Sequence, residues 1–194
     1  MRRTCSADKE SRADQIWSER LMRSQTITFL GILTAFAVVL HTVEAGLPNP
    51  TPWLRLGLAN IITLVTLVAM GFRSAMTVQV LRIIIGSLIT GSLFSPTFIQ
   101  GFGGGIAAVI AMWAALQGEG LFSLVGVSII GAFFHTSVQV LVAYLIIIRH
   151  FQIFFLLPVF LLTSIATGFF NGLAAHLLYR KLPRSYLFGN ENKD

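Results

Sequence analysis

Between Ser24 and Tyr179, nearly all residues fall into apolar segments of about 20 residues each. A helix of that length crosses the hydrocarbon core of a bilayer, and a helix satisfies its own backbone hydrogen bonds where no water can reach. The 194-residue chain is 55% hydrophobic, and its mean hydropathy is +0.77. These values predict an all-α integral membrane protein, folded as a compact bundle of six transmembrane helices.

Prolines and glycines divide the apolar region. Three prolines fall in Gly46-Leu-Pro-Asn-Pro-Thr-Pro52, and the polar break Ser95-Pro96-Thr97 and the short hairpin Gly118-Glu-Gly120 come later. We predict a cytoplasmic N-terminal tail at 1–23, a transmembrane domain at 24–182 and a cytoplasmic C-terminal tail at 183–194. Within the domain, the predicted helices lie near 24–45, 54–70, 74–92, 98–117, 122–148 and 151–179.

Charged residues lie mostly outside the predicted helices and indicate how the chain is oriented. Of 14 basic and 8 acidic residues, only Glu44, Arg55, Arg73, Arg82, Glu119 and Arg149 lie between Ser24 and Tyr179. Basic residues collect before the first helix and after the sixth, so the positive-inside rule predicts that both termini are cytoplasmic. The location would be the cytoplasmic (inner) membrane, with Arg149 as a minor exception to the rule.

The same charge pattern favours some partners and classes over others. The net charge of +6 indicates contact with anionic headgroups of the lipid bilayer and no nucleic-acid binding. A cleaved signal peptide is the alternative reading of the N-terminus, and the acidic residues there disfavour it. Cys5 is the single cysteine, so an internal disulfide is excluded.

Arg82 falls near the middle of the third predicted helix, where a charge is expensive and normally faces a partner, a cavity or a ligand. Small and polar residues recur around it at helical spacing: Ala75, Gln79, Gly86 and Thr90. We expect this stripe to face the protein interior, and we expect lipid to contact Leu81, Ile83, Ile84, Ile85 and Leu88. Arg82 then either binds a ligand or pairs with Glu44 or with backbone carbonyls.

Several further polar residues are candidate ligand contacts. On the first helix, His41 and Glu44 lie one turn apart, and helix-end hydrogen bonding or ligand contact explains them better than a metal site does. Arg55 either pairs with Glu44 across the proline-rich loop, or joins Arg82 in lining an outward-facing cavity suited to a carboxylate or phosphate. The remaining candidates for substrate binding are Asn60, Gln100, His135 and Gln139.

Gly31 and Ala35, four residues apart on the first helix, form a small-xxx-small pair that allows another helix to approach closely. Such a pair either packs inside the protein or docks a partner protein. The small and polar faces of the fifth and sixth helices have the same two readings, helix association or a pocket wall.

Motifs for chemistry are missing from the sequence. Gly103-Gly-Gly105 lacks the Lys-Ser/Thr that follows in a nucleotide-binding loop, and no Asp-Asp-x-x-Asp occurs, since no aspartate lies between Asp14 and Asp194. A prenyl-transferring enzyme would hold magnesium and diphosphate with that motif. We therefore expect no catalytic residue, no metal site and no cofactor, and we predict that the protein is not an enzyme.

Four segments together resemble the bacterial Gx transporter family, which is also catalogued as heptaprenyl diphosphate synthase component I. They are the proline-rich loop with Leu54-Arg-Leu-Gly-Leu-Ala-Asn60, Gln100-Gly-Phe-Gly-Gly-Gly105, Gly126-Val-Ser-Ile-Ile-Gly-Ala132 with His135 and Gln139, and Leu156-Leu-Pro158. The architecture of this family is similar to that of the S component, the substrate-binding subunit of energy-coupling factor (ECF) vitamin transporters.

The resemblance implies a division of roles along the chain. Gly31 and Ala35 would occupy the docking positions for an ECF-type transmembrane coupling subunit, which works with ATPases, and the loop 46–53 would cap an outward-facing pocket. The expected function is uptake of a small anionic or amphipathic, vitamin- or precursor-like molecule. The alternative is an accessory membrane component of polyprenyl (heptaprenyl) diphosphate synthesis, with a soluble polyprenyl synthase as partner. A scaffold for membrane redox proteins is a third reading, and it predicts no pocket.

Overall fold

The structure is a computed structural model that describes residues 3–46, 57–118 and 121–181. Side chains are described from residue 24 onward within these ranges, except at 147 and 148. The chain divides into two units, Met1–Ile32 and Leu33–Asp194. Within these ranges, six α-helices follow one another: α1 Arg3–Gly46, α2 Leu58–Met70, α3 Phe72–Ile89, α4 Pro96–Leu116, α5 Leu124–Ala143 and α6 Leu157–Lys181. The described residues contain no strand, so the all-α prediction is confirmed.

In the part of the chain that the structure describes, five helices contain segments that are long and apolar enough to cross a membrane. These are Ser24–Gly46, Phe72–Ile89, Pro96–Leu116, Leu124–Ile146 and Leu157–Lys181. Large apolar side chains are exposed along them, such as Leu88 on α3 and Leu162 and Phe170 on α6. An exposed apolar surface of this kind suits contact with lipid. The chain is a multi-pass membrane protein.

The first helix is longer than the apolar segment predicted. α1 begins at Arg3 and contains most of the polar stretch expected as a tail. Lys, Arg and Glu have helix propensities close to that of Leu, so a segment rich in them can continue the helix. The apolar part of α1, Ser24–Gly46, agrees with the predicted first span. In the second unit, α1 buries Leu33, Ala37 and Glu44.

α2 is shorter than predicted and lies in the centre of the bundle. It begins at Leu58 because Gly57 adopts a left-handed conformation (φ 72°) before it, and residues 54–56 lie outside the described ranges. Its 13 residues extend only about 20 Å, less than the thickness of a hydrocarbon core. Every residue from Ile62 to Leu67 is buried, and α2 packs on α3, α4 and α6. Its apolar character therefore reflects burial on all sides.

The face of α3 that carries Arg82 is buried, largely as predicted. Ala75, Gln79 and Gly86 lie on this face, whereas Leu81, Ile84, Ile85 and Leu88 are exposed. Two residues differ from the prediction. Ile83 is 3% exposed and lies inside the bundle, because the neighbouring α4 covers a wider part of α3 than one stripe. Thr90 is exposed because it caps the end of the helix.

α4, α5 and α6 pack closely through glycines. A Cβ atom on Gly168 would lie 3.0 Å from Ile129 Cα, and one on Gly172 would lie 2.7 Å from Val125 Cα. The backbones of α5 and α6 thus come too close for larger residues. After Ala143, α5 continues as a π-helix, Tyr144–Ile148, and a 3₁₀ helix, Phe151–Phe155, precedes α6.

Candidate ligand-binding pocket

One end of the helix bundle contains a polar pocket, here called the Arg82 pocket. The space between its lining atoms, counted together with adjoining open solvent, is about 330 Å³. Five helices contribute to its wall, because the end of α1, the start of α2, the middle of α3, the start of α4 and the second half of α5 meet there. The lining residues are His41, Glu44, Gly57, Asn60, Arg82, Ile83, Gly101, His135 and Gln139.

Arg82 is only 4% exposed and is held from one side by α2. Its Nη2 donates a hydrogen bond to Asn60 Oδ1, with 2.5 Å between the two atoms. The neutral amide of Asn60 orients the guanidinium. Guanidinium N–H groups match the oxygens of a carboxylate or phosphate, and the buried carboxylate of Glu44 borders the same pocket. The pocket is thus bordered by a positioned, buried cation.

Gly57 connects three helices at the pocket wall. Its N–H donates to Glu44 Oε1 on α1, and its carbonyl accepts from Asn60 N (2.8 Å) and from Asn171 Nδ2 on α6 (3.2 Å). These bonds require the left-handed conformation that glycine adopts without steric cost. The orientation of Asn60, and through it of Arg82, therefore depends on this turn.

Two glycines make room for the pocket's imidazole and amide side chains. A Cβ atom on Gly86 would lie 2.4 Å from His41 Cδ2, so the ring of His41 lies directly over the backbone of α3. A Cβ atom on Gly104 would lie 2.9 Å from Gln139 Cγ and 2.9 Å from the His135 carbonyl. Close approach of α4 to α5 therefore brings His135 and Gln139 to the pocket.

Most of the predicted contact residues lie together. Six of them line the Arg82 pocket: His41, Glu44, Asn60, Arg82, His135 and Gln139. Gln100 is 3% exposed but is not part of this lining, and its neighbour Gly101 is. Arg55, and the predicted cap apart from Gly46, lie outside the described residues. Glu44 and Arg82 border the same space, so the pairing alternative for Arg82 stays open alongside ligand binding.

Three pocket residues were not predicted from the sequence, namely Gly57, Ile83 and Gly101. Asn171, which holds Gly57, was assigned only to a small and polar face of the sixth helix. The sequence contains a signal for two of these four residues. Gly57 interrupts an apolar run, and Asn171 is a polar residue on a helix stripe that is buried in the structure. Across the described ranges, His, Cys, Asp and Glu residues form no group of three that could hold a metal ion.

The small residues predicted for docking are exposed. Gly31 has no atom within 4 Å of the position that a Cβ would take, and Ala35 is exposed in the second unit. Neither residue packs inside its own unit. Of the two readings offered by the sequence, internal packing therefore lacks support, and docking of a partner stays a prediction.

Comparison with known proteins places the chain in a family. The family described as heptaprenyl diphosphate synthase component I matches residues 33–178, well over half of the chain. No curated protein and no solved structure gave a match. The matched range begins in α1 and ends in α6, so it contains the complete lining of the Arg82 pocket. The chain belongs to the heptaprenyl diphosphate synthase component I family.

Proposed function

We propose that this protein is the substrate-binding membrane subunit of an ECF-type transporter and takes up a small anionic or amphipathic, vitamin- or precursor-like molecule. The observation that carries the proposal is the Arg82 pocket, where a buried guanidinium shares a cavity with imidazole and amide side chains and with the carboxylate of Glu44. A buried charge inside a membrane protein is costly, and such residues are typically retained at substrate or ion pathways.

The position of the pocket along the helices supports capture from the outside. Its residues lie at the C-terminal part of α1 and the N-terminal part of α2, on either side of the loop that connects these helices. With both termini in the cytoplasm, as the basic residues predict, this end of the bundle faces outward. Binding would neutralise the ligand's negative charge at Arg82, with His41, Asn60, His135 and Gln139 supplying hydrogen bonds.

Energy for uptake would come from partner proteins. In this proposal, the exposed face of α1 with Gly31 and Ala35 docks an ECF-type transmembrane coupling subunit, and ATPases drive reorientation. The sequence contains no nucleotide-binding motif with which the chain could do this alone.

The family match favours a second candidate function. Its description names a component of heptaprenyl diphosphate synthase, and an accessory membrane component of polyprenyl diphosphate synthesis would also need a cation for a diphosphate. In this case the ligand would be an isoprenoid diphosphate and the partner a soluble polyprenyl synthase. The two candidates therefore differ in ligand and partner and share the pocket.

Mass spectrometry of small molecules extracted from the detergent-purified protein tests the proposal. We expect a near-stoichiometric compound that carries a carboxylate or phosphate. An isoprenoid diphosphate, together with a co-purifying synthase, would favour the second candidate. A protein that carries no such compound and gains no thermal stability from anionic metabolites would contradict both.

Docking gives a separate prediction. Replacing both Gly31 and Ala35 with Leu should reduce co-purification of coupling subunits and ATPases by about 10-fold or more, because bulky side chains prevent close helix approach. Ligand binding should be unchanged, because neither residue lines the pocket. The control is a Val39→Leu and Val43→Leu double variant on the same exposed side of α1. If coupling subunits and ATPases co-purified equally with the wild type, the Gly31 and Ala35 variant and the control, this face would not be the docking surface.

A further inference from the structure

A second polar cavity, here called the hydroxyl pocket, adjoins the Arg82 pocket. It lies where α1 and α3 end and α4 begins. The space between its lining atoms, counted together with adjoining open solvent, is about 270 Å³. Three residues line both cavities, namely His41, Ile83 and Gly101. The two cavities are therefore neighbours that share a wall. The remaining lining consists of Ala45, Ser87, Thr90, Ser92, Thr97 and Phe98.

The chemistry of the hydroxyl pocket differs from that of the Arg82 pocket. Four of its lining residues carry hydroxyl groups, and none of its described lining residues is Lys, Arg, Asp or Glu. Thr90 Oγ1 lies 2.8 Å from Ser92 Oγ and 3.0 Å from the Gly86 carbonyl oxygen. A hydroxyl group both donates and accepts hydrogen bonds. This lining therefore suits a neutral, hydrogen-bonding group that also does both.

The spacing along α3 sets the size of a ligand that could reach both cavities. Ser87 lies five residues and Thr90 eight residues after Arg82, which corresponds to axial distances of about 7.5 and 12 Å. Those distances match a small organic anion with a chain of several carbons. They exceed the reach of inorganic phosphate alone.

His41 forms the boundary between the two cavities. Its imidazole lies over Gly86, the residue that precedes Ser87 on α3. Glycine at this position leaves space beside α3 for the imidazole ring. Even the methyl group of an alanine would fill that space. The ring can therefore contact a ligand on both sides, at the charged group and at the neutral portion.

A third cavity is the alternative place for the part of a ligand that extends beyond its charged group. It is mostly apolar and shares only Gln139 with the Arg82 pocket; its other lining residues are Thr136, Val140, Ala143, Ile153 and Phe160. An amphipathic ligand would place an apolar group there. The hydroxyl pocket shares three residues with the Arg82 pocket, whereas the apolar cavity shares one. The Arg82 pocket therefore has a more extensive boundary with the hydroxyl pocket.

We propose that the hydroxyl pocket is a second subsite of the same binding site, and that it selects a hydroxyl-bearing neutral portion of a ligand whose anionic group binds at Arg82. This inference rests on the proposed ligand-binding function and specifies the substrate class. The ligand is a polyhydroxylated organic anion, such as a sugar phosphate or sugar acid, and not a purely apolar phosphate or carboxylate.

Two probes with the same anionic group and the same number of carbons test this inference. Ribose 5-phosphate carries hydroxyl groups and pentyl phosphate carries none. Binding of each to the detergent-purified full chain is measured by isothermal titration calorimetry. We expect ribose 5-phosphate to bind about 10-fold more tightly, since two net hydrogen bonds contribute about that factor.

Variants show whether the hydroxyl pocket is the source of this preference. A Ser87→Ala and Thr90→Val double variant should lower the preference to about 2-fold or less and leave pentyl phosphate binding unchanged. The control is Thr77→Val on the same helix, because Thr77 makes the same kind of bond, to the Arg73 carbonyl, outside the pocket. Thermal unfolding of each variant shows that it is folded.

Each outcome has a distinct meaning. Equal binding of both probes, tighter binding of pentyl phosphate, or a preference that persists in the double variant would overturn the second subsite and leave the anion-binding function intact. Tighter binding of pentyl phosphate would favour the apolar cavity. If neither probe bound to the wild-type protein, this inference would be overturned, whereas the proposed function would still be decided by the compounds extracted from the purified protein.

Discussion

Replacing Arg82 with Gln should weaken binding of a phosphate-bearing ligand by about 10- to 100-fold while the protein still inserts and folds. A hydrogen bond to a charged group contributes about 1.5–3 kcal/mol, and each 1.4 kcal/mol changes affinity about 10-fold. Gln is polar and neutral, but its side chain ends near the position of Arg82 Nε, short of the Nη2 atom that donates to Asn60. The variant therefore removes the positive charge together with the bond to Asn60.

The measurement is the affinity of wild type and variant for ribose 5-phosphate, with thermal stability recorded in the same detergent. Arg73→Gln is the matched control, because Arg73 is exposed at the start of α3 and does not line the pocket. If Arg82→Gln bound as tightly as wild type, or lost stability and binding together, Arg82 would be a structural residue paired inside the protein. Removing one partner of a buried ion pair destabilises a protein because the other charge is left buried and uncompensated.

Replacing Gly172 with Ala should destabilise the protein by about 1–3 kcal/mol, the range observed when an extra carbon is forced into a packed interior. The new Cβ would lie 2.7 Å from Val125 Cα and 2.9 Å from Ser128 Cβ. Val125 Cα belongs to the backbone of α5 and cannot move independently, so α6 must shift away from α5. That shift would disturb Asn171, the neighbour of Gly172 that holds Gly57 at the pocket.

Gly103→Ala is the control for this prediction, because its Cβ would lie 3.5 Å from Val138 Cγ1 and 3.7 Å from Val142 Cγ2. These are ordinary van der Waals distances. Alanine also favours a helix by up to about 1 kcal/mol over glycine, so the control should be neutral or slightly more stable. Thermal unfolding in detergent measures both. Similar changes in the two variants would contradict the close packing of α5 against α6.

Periodicity in the sequence predicted much of the pocket. The stripe that contains Arg82 is buried on α3, and His41, Glu44, Asn60, His135 and Gln139 line the same cavity. These side chains face the interior because a charge or amide within an apolar helix must face inward, wherever the neighbouring helices lie, and their role in ligand binding stays a prediction. Gln100 satisfies the same rule and is buried, yet it does not line the cavity. Burial alone does not specify which neighbour a side chain faces.

The second helix shows where local sequence rules failed. The apolar run from Leu54 predicted a membrane span, but α2 begins only at Leu58 and is buried around nearly its full circumference. A continuous apolar run fits either lipid exposure or burial by other helices. α2 begins after Gly57, whose left-handed turn is held by residues far away in the sequence: its N–H donates to Glu44 and its carbonyl accepts from Asn171.

The sequence by itself determined that this chain is an all-α membrane protein and which faces of its helices are polar, because the bilayer forces backbone hydrogen bonds into helices and charges inward. Only the tertiary structure decided that Asn60 orients Arg82 across 22 residues of sequence. It also decided that His41 lies over Gly86, between two cavities of different chemistry. These features depend on how closely helix backbones approach, a distance that no local pattern specifies.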